Sequence, residues 1–180
     1  IGFRGFNEDQ TLGFWKSDND FLFGGAGNDT TLCGLGNDYL DGGDDNDTLY
    51  AEAGDDTLSG GAGADYLDGG DSLLNGDTVS YKYLDATSNK VVVDLSQATA
   101  TIYNGVNATT DIDTLINIEN IDGSKNDDTI TGNNSDNTIL GNVGKDLIYG
   151  SEGKDTIDGR SEFDSVDYSK KKKKIVLTTT

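Results

Sequence analysis

The chain has 180 residues, 33% of them hydrophobic, with 25 glycines and no proline; a conventional thick core is excluded. Thirty-three Asp and Glu against 13 Lys and Arg leave a formal net charge of -20. The acids are spread along the chain rather than gathered in a tail, so the surface repels nucleic acid and anionic lipid and attracts cations.

Low hydrophobicity with high charge also marks solvated linkers, but a linker has no reason to keep the strict register described below. There is no histidine, and Cys33 is the only cysteine. Ser-His and Cys-His pairs, histidine metal ligands, an internal disulfide and a Cys-cluster metal site are thereby excluded. No nucleophile-base pair can be assembled, and the reading is not an enzyme. No apolar run approaches the roughly 18 residues of a membrane span, and the opening IGFRGFNEDQ lacks the layout of a signal peptide. An export signal is therefore expected elsewhere, or the chain is a fragment.

In chain order, residues 1–17 hold Phe3, Phe6, Phe14 and Trp15. Residues 18–70 carry Asp20, Asp29, Asp38, Asp47, Asp56 and Asp65, each nine residues after the last, followed two places on by Leu22, Thr31, Leu40, Leu49, Leu58 and Leu67. Glycines recur ahead of them: Gly24, Gly25 and Gly27; Gly34 and Gly36; Gly42 and Gly43; Gly54; Gly60, Gly61 and Gly63. Residues 71–118 lose the period. There Lys90 to Leu95 and Ala100 to Tyr103 read as strands, with Asn104-Gly105 as a turn, in an interlude expected to cap the first block. Residues 119–168 resume the period at Asp128, Asn137, Asp146, Asp155 and Asp164, with Ile130, Ile139, Ile148, Ile157 and Val166 two places on and Gly141, Gly144, Gly150 and Gly153 in the turns. Residues 169–180 echo the start of the interlude, as if a further one began there.

Internal repetition of this kind predicts a solenoid. Adjacent glycines permit a tight turn. The three residues after each aspartate then form a short strand whose middle side chain points inward, so two repeats close a coil of 18 residues. Aspartates 18 apart stack into columns, Asp20, Asp38 and Asp56 on one edge and Asp29, Asp47 and Asp65 on the other. Carboxylates about 5 Å apart repel unless a cation lies between them. With turn carbonyls at the same place, the donor set suits Ca²⁺ better than Mg²⁺. The candidate ligands are these aspartates, Asn137 and the turn glycines named above. Pairing ligands 18 apart predicts about four sites in the first block and at most about three in the second, where the neutral Asn137 weakens its column.

The segments at 24–30 (GGAGNDT), 34–41 (GLGNDYLD) and 60–68 (GGAGADYLD) resemble the RTX (repeats-in-toxin) nonapeptide family, G-G-x-G-x-D-x-U-x. The resemblance implies an all-β, right-handed parallel β-roll, here two rolls joined by the strand-rich interlude. It also implies several Ca²⁺ ions in the turns and type I secretion of a chain that folds outside the cell. Cys33, Ala51, Glu52 and Asn133 depart from it by replacing turn glycines, and Thr31 by standing where a buried Leu is expected, which predicts either a one-residue slip toward Leu32 or a tolerated hydroxyl.

Other signals weigh less. Acid pairs such as Asp55-Asp56 already contain an in-register ligand, no EF-hand loop or phosphate-binding lysine is present, and no flat Thr array suits ice. The N-terminal aromatics, with Phe21 and Phe23, are expected to plug the open end of the solenoid rather than to bind carbohydrate, and Lys170 to Lys174 reads as solvated surface. The expected function is a calcium-binding structural module that folds on Ca²⁺ binding, within a larger secreted or cell-surface protein of toxin, adhesin or surface-layer type. The alternative is a polysaccharide-binding or adhesive accessory module of a secreted enzyme such as an alginate epimerase, protease or lipase.

Overall fold

Nine-residue spacing places one branched apolar side chain per strand on the inner face and leaves its two neighbours outside, and this alternation sets the architecture. The computed structural model describes residues 3–6, 11–16, 19–84, 89–104 and 109–169, with side chains from residue 19 onward except at 89, 104, 109 and 110. Every regular element among them is a strand. The first block supplies β1 (Phe3–Phe6), β2 (Thr11–Lys16), β3 (Phe21–Ala26), β4 (Thr30–Leu35), β5 (Tyr39–Asp44), β6 (Thr48–Gly54), β7 (Thr57–Ala62) and β8 (Tyr66–Asp68). The interlude supplies β9 (Asp71–Ser72), β10 (Thr78–Ser80), β11 (Asn89–Asp94), β12 (Thr99–Asn104) and β13 (Thr109–Ile116). The second block supplies β14 (Asn120–Asp122), β15 (Thr129–Thr131), β16 (Thr138–Leu140), β17 (Leu147–Tyr149), β18 (Thr156–Asp158) and β19 (Ser165–Asp167).

Alternate strands fall into two facing sheets, and the chain is a parallel β-solenoid of the β-roll kind. One sheet has eight strands in the order β1-β3-β5-β7-β10-β14-β16-β18; the other has the path β19-β17-β15-β11-β12-β13-β8-β6-β4-β2. The interlude joins the two blocks by lending strands to both sheets: β10 pairs with β7 and β14, and β13 pairs with β8. Among the described strands only β12 runs antiparallel, between β11 and β13. It turns an otherwise parallel ladder back on itself before β11 hands on to β15.

The register aligns Leu22, Leu40, Leu58, Val79, Ile121, Ile139 and Ile157 along one sheet. Opposite them stand Leu49, Leu67, Leu115, Val93, Ile130 and Ile148, and this narrow seam is almost wholly buried. Each such side chain contributes about 1.5–3 kcal/mol. Strands β3 to β7 run for six or seven residues, not three, because the turn glycines keep pairing: Gly25 aligns with Gly43 and Gly43 with Gly61. A second inward position follows, occupied by Gly24, Gly42 and Gly60 and by the buried Cys33 and Ala51.

Two expectations need correction or refinement. Phe21 and Phe23 do not plug the solenoid. They flank the inward Leu22 on the outer face, 39% and 36% exposed, and both rings lie against Tyr39 at 5.9 and 6.0 Å. The backbones of β1 and β2 extend the two sheets beyond β3 and β4, while the side chains of Phe3, Phe6, Phe14 and Trp15, and all of Lys170 to Lys174, lie outside the described residues. Thr31 takes the tolerated-hydroxyl course. It pairs with Leu49 without slipping and is fully buried, and its Oγ1 has no hydrogen-bond partner. A buried hydroxyl without a partner costs about 1–3 kcal/mol. The variant Thr31→Val should therefore be more stable by about 1 kcal/mol, measured by denaturant unfolding in saturating calcium; equal or lower stability would contradict this reading of the site.

Candidate metal centre

In the first block each turn begins with a backbone reversal at a residue of positive φ: Gly25, Gly34, Gly43, Glu52 and Gly61. At Gly43, φ is 110°, and a Cβ there would collide with the Gly25 carbonyl oxygen of the preceding coil. Glycine is required by both conformation and space. Glu52 holds the same place with φ 75°, a left-handed conformation that costs a residue bearing a Cβ.

The turns bring the in-register aspartates into two columns. On the first edge the Asp20 amide donates to Asp38 Oδ1 at 2.7 Å, the Asp38 amide to Asp56 Oδ1 at 2.6 Å, and the Asp56 amide to Asp77 Oδ1 at 2.8 Å. On the second, the Asp29 amide donates to Asp47 at 2.8 Å, the Asp47 amide to Asp65 at 2.8 Å, and the Asp65 amide to Asp113 at 3.1 Å. Past the interlude this edge resumes from Asp128 to Asp146 and from Asp146 to Asp164. One carboxylate oxygen of each pair is thus consumed in stacking the coils.

The other oxygen is the informative one. Oδ2 of Asp47, Asp56, Asp65, Asp77 and Asp146 is buried with no hydrogen-bond partner, and these residues are at most 2% exposed. A lone buried carboxylate oxygen is strongly unfavourable unless a cation or proton meets it. Glycines line the same spaces: a Cβ on Gly24 would come within 2.7 Å of Asp29 Oδ2 and against the Gly42 carbonyl oxygen, and one on Gly42 within 2.6 Å of the Gly60 carbonyl oxygen and against Asp47 Oδ2. Among the described residues no three His, Cys, Asp or Glu side chains converge. An ion here draws on one or two carboxylates and on backbone oxygens, a hard, flexible donor set that fits Ca²⁺.

Electrostatics agrees. Burial, reinforced by neighbouring carboxylates, pushes the carboxyls of Asp47, Asp56, Asp65 and Asp113 up to about 7 and those of Asp77 and Asp146 up to about 6. Burial also raises the Cys33 thiol, which stands beside Asp38; it is an inert core side chain.

The second block arranges the same positions differently. Ser124, Asn133, Asn142 and Ser151 replace glycines and donate into the turns. Ser124 bonds both oxygens of Asp128, through its amide at 2.6 Å and its Oγ at 2.7 Å. Asn142 Nδ2 reaches Asp122 Oδ1 at 2.8 Å and the Gly123 carbonyl at 2.7 Å. Asn137 is fully engaged: Nδ2 donates to the Glu119 carbonyl at 2.7 Å and to Asn133 Oδ1 at 2.9 Å, while Oδ1 accepts from the Asn133 amide and from Ser151 Oγ. Its amide nitrogen thus lies between two oxygens and bonds both. Asp155 receives the Asn137 amide at 3.3 Å and Ser151 Oγ at 3.2 Å.

Two features were missed from the sequence. Asp77 and Asp113 continue the columns at spacings of 21 and 48 rather than 18; the D-x-U triplets Asp77-Thr78-Val79 and Asp113-Thr114-Leu115 were the available signal. An Asn or Asp directly before the in-register residue builds a second ladder of opposite sense. Asn19 Oδ1 accepts from the Asn37 amide, Asn28 from Asn46, Asn37 from Asp55 and Asn46 from Ala64, at 2.9–3.2 Å, and Asp127 and Asp136 accept from Lys145 and Lys154 at 2.8 Å.

A parallel β-solenoid with columns of half-bonded aspartates facing glycine turns is a cation-binding β-roll. The chain belongs to the RTX calcium-binding nonapeptide repeat family (HemolysinCabind), whose profile matches four times, over residues 16–40, 41–72, 117–148 and 131–166. Comparison with curated proteins finds no match. Membership implies Ca²⁺ binding in the repeats.

The raised carboxyls set a pH dependence. Their folded pKa lies above the unfolded value near 4, so their contribution to metal-free stability is fully present below about pH 4 and is lost as pH rises through 6 to 7. In chelator, thermal melts followed by circular dichroism should show the roll most stable near pH 4 and destabilised by pH 8, with saturating calcium removing the loss. Metal-free stability that rises toward pH 8 would refute this.

Proposed function

We propose that this chain is a calcium-responsive structural module that folds as ions fill its turns, within a larger secreted or cell-surface protein of toxin, adhesin or surface-layer type. The observation that carries the reading is the row of buried Oδ2 atoms without hydrogen-bond partners. With a net charge of -20, the metal-free chain is held open by its own repulsion. Ions that bind only the closed turns convert metal-binding free energy into folding free energy. Type I export fits this chemistry, since the chain stays expanded where calcium is scarce and closes where it is plentiful.

The candidate ligands are those the sequence analysis named, with the first block (Asp20 to Asp65) binding more ions than the second, whose turns are bonded internally at Ser124, Asn137 and Asn142. Circular dichroism in millimolar calcium and in excess chelator tests the reading: a strand signal should appear with calcium and be largely lost without it, and equal folding in chelator at neutral pH would overturn it. Replacing the Asn137 amide by a carboxylate supplies a second test. Asn137→Asp turns the bond to the Glu119 carbonyl into a repulsion that only a cation relieves, so calcium titration should report an added ion and hydrogen exchange around residues 133–140 should become calcium-dependent.

The polysaccharide-binding alternative draws on one observation, the outward Phe21, Phe23 and Tyr39 rings on β3 and β5. A glycan screen on the calcium-loaded chain separates it from a purely structural role.

A further inference from the structure

Where the nine-residue period fails between the two blocks, a turn with three extra residues still reproduces the repeat cradle, with Asp77 lying outside the matched stretches and its partners at their edges. Three extra residues enter after Gly70. The amides of Leu73, Leu74 and Asn75 all donate to Asp55 Oδ1, at 2.8–3.1 Å, which folds the insertion outward. Asp77 is thereby delivered to the column under Asp56, with its carboxylate wholly buried.

From there the geometry matches the repeats contact for contact. In a repeat, the Asp amide donates to the carboxylate of the following coil; here the Asp77 amide donates to Glu119 Oε2 at 2.9 Å, across 42 residues of sequence. The following strands also align, Thr78 with Asn120 and Val79 with Ile121. In a repeat, a Cβ on the first glycine would meet its own aspartate's Oδ2 and the next coil's carbonyl, as Gly24 meets Asp29 and Gly42. At Gly69 it would come within 2.6 Å of Asp77 Oδ2 and against the Asn117 carbonyl oxygen. Asp77 Oδ2 is among the buried oxygens without a partner.

The other edge of the interlude provides the contrast. Asp113 ends its column with both oxygens bonded, Oδ1 to the Asp65 amide and Oδ2 to the hydroxyl of the buried Tyr81 at 2.9 Å. A proton donor closes that edge. Among the described residues nothing closes the edge at Asp77.

We propose that Asp77, Glu119 and the Asn117 carbonyl form a calcium site where the nine-residue spacing breaks between the two blocks, which fastens β10 to β14 and so makes their junction calcium-dependent. The site rests on the calcium reading above, but it adds an ion that repeat counting does not assign, at the seam the stack depends on for continuity.

Native mass spectrometry of the full chain, wild type and Asp77→Asn, counts the ions. Asn preserves the acceptor for the Asp56 amide, and its Nδ2 takes the ion's place as Asn137 Nδ2 does, so the variant should fold and carry one calcium fewer. Hydrogen exchange over 78–80 and 120–122 should then lose its response to calcium while that over 39–62 keeps it. An unchanged ion count overturns the proposal. Crystals of the wild-type chain grown in calcium remove any dependence on the variant: an ion should lie about 2.3–2.6 Å from Asp77 Oδ2. Water there, with an ion in the Asp47 turn, overturns this site alone; no ion in any turn overturns the calcium reading and the site together.

Discussion

The constraint on which the rest of this structure depends is the fate of one oxygen atom per turn. Parallel stacking at strand spacing requires each coil to accept an amide from its neighbour, and the aspartate supplies Oδ1 for that purpose. The same stacking buries Oδ2 of Asp47, Asp56, Asp65, Asp77 and Asp146 and offers it no donor. Stacking and charge burial are therefore one event, and the solenoid can close only where something positive meets that oxygen. The glycines follow from this, because the space beside Oδ2 must be free of side chains and the preceding carbonyl must approach closely.

The two blocks meet the requirement by different chemistry on one backbone. Around Asp47 and Asp65 the turns are glycine and leave Oδ2 without a donor, so on the proposed reading the remedy is external, a divalent ion. Around Asp128 and Asn137 it is internal, hydroxyl and amide donors from Ser124, Asn133, Asn142 and Ser151. An amide nitrogen placed between two oxygens is a weak, permanent substitute for a cation; it adds no charge and needs no ion in solution. Asn137 also shows why a neutral residue survives in a column of acids: a carboxylate there would face the Glu119 carbonyl without a bridge.

The sequence disclosed the period, the two columns and the apolar seam, since each is a local rule repeated at fixed spacing: Leu40, Leu49 and Leu58 face inward for the same reason. It did not disclose where the rule persists through a change of spacing. Asp77 arrives 21 residues after Asp56 because an outward loop on Asp55 absorbs three residues, and Asp113 arrives 48 after Asp65 because the chain makes β10, β11 and the antiparallel β12 in between. Long-range pairing of that kind leaves no periodic trace. The outward turn of Phe21 and Phe23 follows from the same pleat rule that turns Leu22 inward; the expected plug came instead from weighing the aromatics by composition. The second ladder, built by Asn19, Asn28, Asn37 and Asn46, was fully periodic, yet its residues read as ordinary turn formers.

A solenoid is stabilised by nearest neighbours, and here each aspartate belongs to two interfaces at once. Its Oδ1 receives the amide of the coil before it, and its own amide binds the carboxylate of the coil after it. Ordering one turn therefore positions an acceptor on one side and a donor on the other, so that an ion entering the turn of Asp47 reduces the cost of ordering those of Asp29 and Asp65. Such coupling passes along an edge only while the bonds are unbroken. On the second edge it meets the Tyr81 hydroxyl at Asp113 and stops at a closed contact. On the first it reaches Asp77 and Glu119, and then the amide-filled turn at Asn137. The interlude is thus a boundary on one edge and a bridge on the other. Folding that begins in the acidic block reaches the second through the acidic column along the first edge, and along the second only through the strand pairing β8-β13-β12-β11-β15 and the Val91 amide on Asp128.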